Sequence, residues 1–375
     1  MDILIKTSVL RDALQNVIAV IDKSLAKPIL SNFLIKTLEA EGDETQAEFT
    51  ATDYELSLIE RHSVEVREEG SICVNARKMY DIVREFSGEM VHVQSTEQLW
   101  VNATCGSSEL RLPTVEVGLY PQTEIEDLPE KLSIPVEDLK RGIDMTLFAA
   151  QTNESRRNLM GVNLTTPEMG KVRWLATDGH RLAQVLSETE STSFSQVQEV
   201  IIPRKALSEV RRSVELFGDT VQVSFNDRVM QFMGNDLAYK TRLIEGKFPN
   251  CDPIIPKDNT LVATVDRERL VSSLKIVSSI STEKLRPVKL TLSSGKLRVE
   301  SEKAEYGEVS DELDAEYSGE DFQIGFNSRY LLDTLGVMST AQVRMEFKNP
   351  MSPSVVREEA DGSFLSVIMP LRIEW

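Results

Sequence analysis

The fold of this chain is decided by one stretch, Ile72-Cys-Val-Asn75-Ala-Arg77-Lys-Met79-Tyr-Asp81-Ile-Val-Arg-Glu-Phe86. It begins as an apolar strand, reaches a residue type that starts helices, and continues with apolar residues at helical spacing. The same pattern returns at residues 201–214 and 324–335, offset by 128 residues from Asn75 to Pro203 and by 124 from Pro203 to Asn327. Three copies in register predict three equivalent units.

Two further elements accompany each copy. Upstream lies an amphipathic helix with apolar residues four apart on one face, and downstream lies a strand with a period of two. The helical pairs are Leu10 and Leu14, Leu139 and Ile143, and Leu270 and Leu274, and the strands lie at residues 91–93, 221–225 and 343–347. The sequence therefore predicts an α+β fold of three repeated domains, each with two helices and antiparallel sheets. Equivalent edges on equivalent domains also favour closure into a ring.

Acidic, proline-containing stretches divide the units. Residues 115–130 contain five acidic side chains and no basic one, and prolines at 249, 253 and 256 mark the second division. We expect domains at residues 1–120, 129–248 and 257–375. The acidic run at residues 301–320 predicts either a solvated edge of the third domain or an ordinary acidic loop.

The composition limits the possible partners and the compartment. The 375 residues include 60 acidic and 42 basic side chains, a formal net charge of −18. Such a molecule repels phosphate at long range, so contact with nucleic acid requires a local basic surface. Three cysteines are too few for a disulfide framework. Neither a signal peptide nor a membrane-length apolar run occurs, so we expect a cytoplasmic protein without membrane contact.

The known motifs of nucleotide and metal chemistry are absent from the sequence. No P-loop string occurs, no Gly-x-Gly-x-x-Gly follows a strand, and no His-Glu-x-x-His or Cys-x-x-Cys pair offers metal-ligand spacing. Carboxylates are numerous, but no pair is singled out as an acid and base. We therefore expect no cofactor, no metal and no enzymatic activity.

Residues 176–183, Ala-Thr-Asp-Gly-His-Arg-Leu-Ala, form the polar string that stands out. They are open to two interpretations: a catalytic site, or a structural hairpin whose polar residues cap the turn and bind a partner from outside. We favour the hairpin. The first unit keeps Ala51-Thr-Asp53 at the equivalent place without the glycine, histidine and arginine. The turn is therefore common scaffold, and His180 and Arg181 are particular to the second unit.

Basic residues gather on the helices, whereas acids dominate the linkers. One explanation is ion pairs four residues apart, namely Arg77 with Asp81, Lys205 with Glu209, and Arg329 with Asp333. The other is a positive lining for a nucleic-acid backbone, which would carry no base information and would permit sliding. The candidate DNA-facing residues are Arg11, Lys78, Arg84, Lys140, Arg141, Arg204, Lys205, Arg211, Arg212, Arg267 and Lys275.

The three repeated units, the string at 176–183, Gly246-Lys-Phe-Pro249 and Val367-Ile-Met-Pro-Leu-Arg372 together resemble the bacterial β sliding clamp family, the β subunit of DNA polymerase III. The resemblance covers the whole chain. It implies three clamp-type domains per chain and a head-to-tail homodimeric ring whose helices line a central hole. Double-stranded DNA would pass through this hole without sequence preference. The implied role is a non-enzymatic DNA polymerase processivity factor that an external ATP-driven loader opens.

The same resemblance implies a hydrophobic partner pocket between the second and third domains. Short linear motifs of the replicative polymerase, the clamp loader and repair proteins would insert apolar side chains there, with His180 and Arg181 at the rim. Carried over position by position, the pocket residues are Leu159, Thr177, Gly179, His180, Arg181, Leu182, Pro249, Ile254, Val367, Ile368, Met369, Pro370, Leu371 and Arg372.

This chain departs from the family pattern at its C-terminal end. Leu371 stands where a second methionine is usual, and Ile373-Glu374-Trp375 is an extension that could cover or extend the pocket. For the head-to-tail joint, the resemblance points to Leu110 and Leu112 against Ile280, although all three also fit an ordinary core. The alternative function is a cytoplasmic protein-binding scaffold of repeated domains that does not encircle DNA.

Overall fold

The computed structural model describes residues 1–21, 27–39, 45–96, 98–167, 170–188, 191–192, 199–281, 286–301, 307–359 and 362–372. The chain divides into two compact units. Unit 1 comprises Met1–Leu139, Glu190–Phe194 and Lys205–Leu243, and unit 2 comprises Lys140–Thr189, Ser195–Arg204 and Ile244–Trp375.

The described residues contain six α-helices, two in each sequence repeat, as predicted. They are α1 (Thr7–Val20), α2 (Ala76–Val83), α3 (Val136–Asp144), α4 (Arg204–Arg212), α5 (Arg267–Ser278) and α6 (Ser328–Val337). The strands are β1 (Asp2–Lys6), β2 (Asn32–Thr37), β3 (Gln46–Thr52), β4 (Leu56–Ser63), β5 (Glu65–Glu68), β6 (Ser71–Asn75), β7 (Met90–Thr96), β8 (Trp100–Cys105), β9 (Ser108–Val115), β10 (Glu130–Pro135), β11 (Gly161–Thr165), β12 (Lys171–Thr177), β13 (Arg181–Glu188), β14 (Ser191–Thr192), β15 (Glu199–Pro203), β16 (Thr220–Phe225), β17 (Val229–Gly234), β18 (Leu237–Arg242), β19 (Leu261–Asp266), β20 (Pro287–Ser293), β21 (Lys296–Ser301), β22 (Ser310–Glu316), β23 (Phe322–Asn327), β24 (Gln342–Phe347), β25 (Ser354–Glu358) and β26 (Phe364–Ile368).

The strand-to-helix pattern of the sequence is confirmed at each copy. In the first, the Asn75 side chain accepts a hydrogen bond of 3.0 Å from the backbone N–H of Lys78, which satisfies one of the free donors at the start of α2. In the third, Asn327 caps α6 through the N–H of Arg329 at 3.0 Å. In the second, α4 begins at Arg204, directly after Pro203. One local signal thus ends a strand and starts a helix three times.

Unit 1 contains a 14-stranded antiparallel sheet among the described residues, in the order β14-β10-β16-β17-β18-β4-β3-β2-β6-β9-β8-β7-β1-β5. Helix α1 packs against α2 and against strands β3 and β4. Its predicted apolar face is confirmed, because Leu10 and Leu14 are fully buried. Burial of such a face contributes most of the stability of a helix of this length.

Unit 2 contains a 12-stranded antiparallel sheet among the described residues, in the order β15-β11-β12-β13-β26-β25-β24-β19-β22-β21-β20-β23. Helix α5 packs against α6 and against β21 and β22, with Leu270 and Leu274 fully buried. Part of the acidic run at 301–320 is the strand β22, so the loop interpretation is wrong for these residues. Leu313 and Ala315 point inward there while the acidic neighbours face solvent, which gives the strand its period of two. Residues 302–306 of the run lie outside the described residues.

Candidate functional site

The string at 176–183 forms a hairpin between β12 and β13, as the structural interpretation predicted. The Asp178 carboxylate accepts hydrogen bonds from the backbone N–H groups of His180 at 2.9 Å and Arg181 at 3.0 Å. The Thr177 hydroxyl accepts from the N–H of Gly179 at 3.0 Å and donates to the Arg181 carbonyl at 2.6 Å. Asp178 and Thr177 therefore build the turn.

The equivalent turn in the first repeat uses the same bonds. The Asp53 carboxylate accepts from the N–H groups of Glu55 at 2.9 Å and Leu56 at 2.7 Å. Tyr54 holds a φ of 74°, in the left-handed region where Gly179 holds 89° in the second repeat. Glycine adopts that conformation at no steric cost, whereas tyrosine is strained there. The turn is common scaffold, as the sequence predicted.

Arg181 is held inside unit 2 by a dense set of contacts. Its guanidinium donates to Asp178 at 3.1 Å, to Asp333 on α6 at 2.6 Å and to the Phe148 carbonyl at 2.7 Å. It also lies 4.6 Å from the ring centroid of Tyr330. The side chain is only 10% exposed. Arg181 thus ties the hairpin to α6, a role that the sequence did not suggest.

A second arginine completes this charged region. Arg204 donates to the Leu147 carbonyl at 2.6 Å, at the end of the chain segment that carries α3. Burial lowers the pKa of the Arg204 guanidinium, repulsion by Arg181 lowers it further, and attraction by Asp333 opposes both effects. Because the guanidinium is half-buried and bonded to backbone, it serves the packing of unit 2.

An apolar cluster lies beside the hairpin. It combines residues from the strands of the second repeat, the segment 244–255 and the strands β25 and β26. Its buried members are Leu159, Leu175, Leu182, Ile201, Phe248, Cys251, Val355, Leu365 and Val367, with Ile244 and Ile255 packed against them. Burial raises the pKa of the Cys251 thiol to about 11, so the neutral thiol acts as an apolar wall.

Three of the predicted pocket residues, Leu159, Leu182 and Val367, belong to this cluster. Its other buried members were not predicted from the sequence. Leu365 could have been found from Val367, because residues two apart share one face of a strand. Phe248 stands inside the quoted string Gly246-Lys-Phe-Pro249.

The chain end lies against the hairpin. The N–H of Met369 donates to the His180 carbonyl at 2.9 Å, and the N–H of Leu371 donates to the Gly325 carbonyl at 2.8 Å. Met369 is 39% and Ile254 49% exposed, large values for apolar side chains. Of the other predicted pocket residues, Gly179, His180, Pro249 and Arg372 are exposed, Pro370 and Leu371 are half-buried, and Thr177 and Ile368 are buried. Ile373, Glu374 and Trp375 lie outside the described residues.

Most of the candidate DNA-facing residues are engaged in contacts within the chain. Arg141 donates to the buried Glu358 at 3.2 Å, Arg11 to the Phe86 carbonyl at 3.1 Å, and Arg267 to the Thr340 carbonyl at 2.9 Å. Lys78 and Lys275 are exposed, and Lys140 and Arg211 are half-buried. Basic residues outnumber acidic ones on α2, α4 and α5, but not on α1, α3 or α6.

The predicted helical ion pairs are observed in part. Arg329 and Asp333 are paired at 4.0 Å, as predicted. Lys205 pairs with Asp53 and donates to the Val20 carbonyl at 3.1 Å, and Glu209 pairs with Arg212 at 2.9 Å. Arg84, for which no i+4 pair was predicted, lies 4.0 Å from Asp81 and pairs with Glu85 at 3.0 Å. The partner predicted for Lys205 was wrong, because Lys205 binds the Asp53 carboxylate and Glu209 binds Arg212 instead.

The three residues predicted for the head-to-tail joint differ in burial. Leu110 is buried on β9, Leu112 is half-buried on the same strand, and Ile280 is half-buried just beyond α5. Their role stays a prediction.

One open cavity of about 430 Å³ lies in unit 1, at the acidic linker. It is lined by Ile125, Glu126, Asp127, Lys131, Gln222, Val223, Ser224 and Met233. Asp127 pairs with Lys131 at 2.7 Å, and Glu126 pairs with Lys240. Its charged groups are thus committed to each other, which favours the apolar cluster of unit 2 as the candidate site.

Two general features bear on chemistry. Within the described residues, no three His, Cys, Asp or Glu side chains converge in a way that could hold a metal ion. No helix among them is long and apolar enough to cross a membrane.

Known proteins resemble this chain over its full length. Family models match it at residues 1–124 (DNA polymerase III beta subunit, N-terminal domain), 133–250 (central domain) and 252–372 (C-terminal domain). The beta sliding clamp of Caulobacter vibrioides is 34% identical, with 100% of both chains covered. The crystal structure of the DNA polymerase sliding clamp from Pseudomonas aeruginosa with ligand is 31% identical, with a TM-score of 0.91. That of the Bartonella birtlesii sliding clamp bound to griselimycin is 31% identical, with a TM-score of 0.92. Each structure covers 100% of both chains.

Proposed function

Since the chain belongs to the DNA polymerase III beta subunit family, the beta sliding clamps, we propose that it acts as a DNA polymerase processivity factor that closes into a homodimeric ring around double-stranded DNA. The ring would recruit the polymerase, the clamp loader and repair proteins through short linear motifs. The family is non-catalytic, and this chain is proposed to have no enzymatic activity and to work in the cytoplasm. We propose its domains at residues 1–120, 129–248 and 257–375.

The observation that carries this proposal is a strand joint that the chain uses twice. In unit 1, β4 of the first repeat pairs antiparallel with β18, the last strand of the second repeat. In unit 2, β13 of the second repeat pairs antiparallel with β26, the last strand of the third repeat. Both partners occupy equivalent positions in their repeats, since β4 and β13 each follow the Thr-Asp turn. The same joint therefore connects successive repeats.

The joint joins the last strand of one repeat to the strand after the turn of another, and one strand of each kind, β9 and β22, is not used in it. The strand β9, which ends the first repeat, pairs with β8 and touches β6 only at Thr114 and Val115. The strand β22 of the third repeat pairs with β21 and touches β19 only at Ala315 and Glu316. Among the described residues, the far edges of 108–113 and 310–314 thus have no strand partner. Two chains joined head to tail would pair these edges, and a C2 dimer would leave neither of them open.

This joint supports the dimer-interface residues predicted from the sequence. Leu110 and Leu112 lie on the unused edge of β9. Helix α5, which Ile280 follows, packs against β22, the strand with the complementary edge. We therefore retain all three as dimer-interface residues in the proposal.

DNA contact is proposed for the cations that the helices present. The exposed Lys78 and Lys275 are the first candidates. The remaining predicted residues would add to the positive field, most strongly on α2, α4 and α5, where basic residues outnumber acidic ones. Because neighbouring phosphates are equivalent, such contacts let the protein slide along DNA. The closed ring, and not the contact energy, would keep the protein on the DNA.

Retention on circular DNA tests the proposal. The protein is loaded onto a nicked circular plasmid with the loader complex of the same cell, and the plasmid is then cut once. We expect retention after gel filtration to fall at least about tenfold on linearisation, because sequence-independent phosphate contacts alone do not hold a sliding protein. Equal retention on circular and linear DNA would contradict encirclement.

The replacement Leu112→Asp is expected to convert the dimer to monomers. It places an unpaired carboxylate in the strand joint, which costs roughly 3 kcal/mol or about 100-fold in the dissociation constant. Sedimentation equilibrium measures this change. Leu119→Asp is the matched control, because Leu119 is 65% exposed and lies on the linker. A wild-type protein that is monomeric at micromolar concentration would instead favour the scaffold function.

A further inference from the structure

Exposed cations surround the apolar cluster of unit 2. Arg156 and Arg157 lie on the short 3-10 helix that ends at Leu159, a member of the cluster. Lys247 directly precedes Phe248, another member, and Arg372 follows the strand that carries Val367. All four side chains are exposed.

The structure places these cations at the edge of the cluster. The Arg156 guanidinium lies 3.1 Å from the point where a Cβ on Gly179 would stand, so it lies against the hairpin. Asn158 donates to the Lys247 carbonyl at 3.0 Å, which joins the 3-10 helix to the segment 244–255. These contacts place Arg156 beside the hairpin and join the 3-10 helix that carries Arg156 and Arg157 to the segment that carries Lys247.

The acids nearby neutralise little of this charge. Asp178 is committed to Arg181 and to the backbone of the turn, and Asp252 pairs with Arg173 at 2.6 Å. Besides Asp252, the described acidic side chain in the segment 244–255 is Glu245, which is exposed. In a chain with a net charge of −18, this rim is a local reversal of sign.

We infer that the partner pocket selects linear segments whose apolar anchor residues are flanked by acidic side chains. This inference rests on the proposed function of the apolar cluster and adds the chemical class of its occupant. The apolar anchors supply the affinity, and the carboxylates pair with Arg156, Arg157, Lys247 or Arg372 at the solvent-exposed rim. The acidic body of the protein repels an acidic peptide at long range, so any preference for one must come from this rim.

The test uses three fluorescein-labelled ten-residue peptides that share one core of leucine and phenylalanine. Their flanks are aspartate and glutamate, serine, or lysine. By fluorescence anisotropy at low ionic strength, we expect the acidic peptide to bind about three- to tenfold tighter than the serine peptide, as two exposed ion pairs allow. The lysine peptide should bind more weakly than either. The differences should shrink at 0.5 M salt, because exposed charges are screened.

A double charge reversal identifies the source of the preference. Arg156→Glu with Arg157→Glu should abolish the advantage of the acidic peptide over the serine peptide. Arg228→Glu, at a side chain 83% exposed in unit 1, is the matched control and should change nothing. Equal affinity for all three peptides overturns this inference and leaves the pocket intact. Failure of all three peptides to bind overturns the pocket assignment itself.

Discussion

The variant that combines His180→Ala with deletion of Met369 to Trp375 is expected to lose measurable binding of an apolar peptide. Met369 and Leu371 supply apolar surface beside the cluster, held there by the N–H of Met369 donating to the His180 carbonyl at 2.9 Å, and the substitution also removes the exposed His180 ring from the rim. Burying two such side chains against a ligand contributes roughly 3–6 kcal/mol, which corresponds to a loss of about 100-fold or more. Isothermal titration with the serine-flanked peptide measures it.

Two further variants separate a lost contact from a damaged fold. Deletion of residues 373–375 alone tests the extension, and Met369→Asp keeps the chain end while it adds a charge at a side chain that is 39% exposed. Met369→Asp should weaken peptide binding about tenfold, since it removes the burial of one apolar side chain. The dimer should persist in every case, because the strand edges of β9 and β22 are unchanged. Unaltered peptide affinity in the combined variant would end the assignment of the pocket.

The replacement Arg181→Ala is expected to lower the free energy of unfolding by about 3 kcal/mol, because it leaves carboxylates without their cation. Arg181 is 10% exposed, and its partners Asp178 and Asp333 are 12% and 31% exposed. The loss would also free the hairpin from α6, so peptide affinity should fall although the side chain faces away from solvent. Urea unfolding and the peptide titration measure the two effects.

The surface pair of Arg61 and Glu48 provides the control for this experiment. It has a similar separation of 3.2 Å, but Arg61 is 52% exposed, so Arg61→Ala should cost less than about 1 kcal/mol. A double-mutant cycle between Arg181→Met and Asp333→Leu then isolates the coupling between the hairpin and α6. If Arg181→Ala lowers the free energy of unfolding no more than Arg61→Ala does, the contact between the hairpin and α6 does not stabilise unit 2. Arg181→Lys should not restore the stability that Arg181→Ala loses, since a lysine cannot reach three acceptors from one planar group.

In the polar string at 176–183, the bonds of the turn could be predicted from the sequence, whereas the partner of Arg181 could not. Asp178 caps its turn through bonds to residues two and three positions away, and bonds of that range follow from residue type. The partner of Arg181 is Asp333, 152 residues away, and no local pattern contains that information. The same reason explains Lys205, for which a carboxylate on its own helix was predicted and Asp53 was found.

Some residues of the apolar cluster were predicted from the sequence, and others were found only in the structure. Leu159, Leu182 and Val367 entered the prediction through the resemblance, whereas Leu175, Ile201 and Val355 became visible only when strands of two repeats were paired. Strand pairing also decided the unused edges of β9 and β22. Periodicity predicts which face of a strand is buried, but it does not predict which strand lies beside it.

The amino-acid sequence by itself determined the three repeats, the strand-to-helix pattern at Asn75, Pro203 and Asn327, and the Thr-Asp turn, because each depends on contacts between residues close in the chain. The tertiary structure decided which cations are bonded to backbone and which are exposed, which apolar residues share one cluster, and which strand edges stay open. Those features depend on the meeting of residues far apart in the chain, by 57 positions for Arg204 and Leu147 and by 152 for Arg181 and Asp333, and the packing of the whole unit selects these pairings.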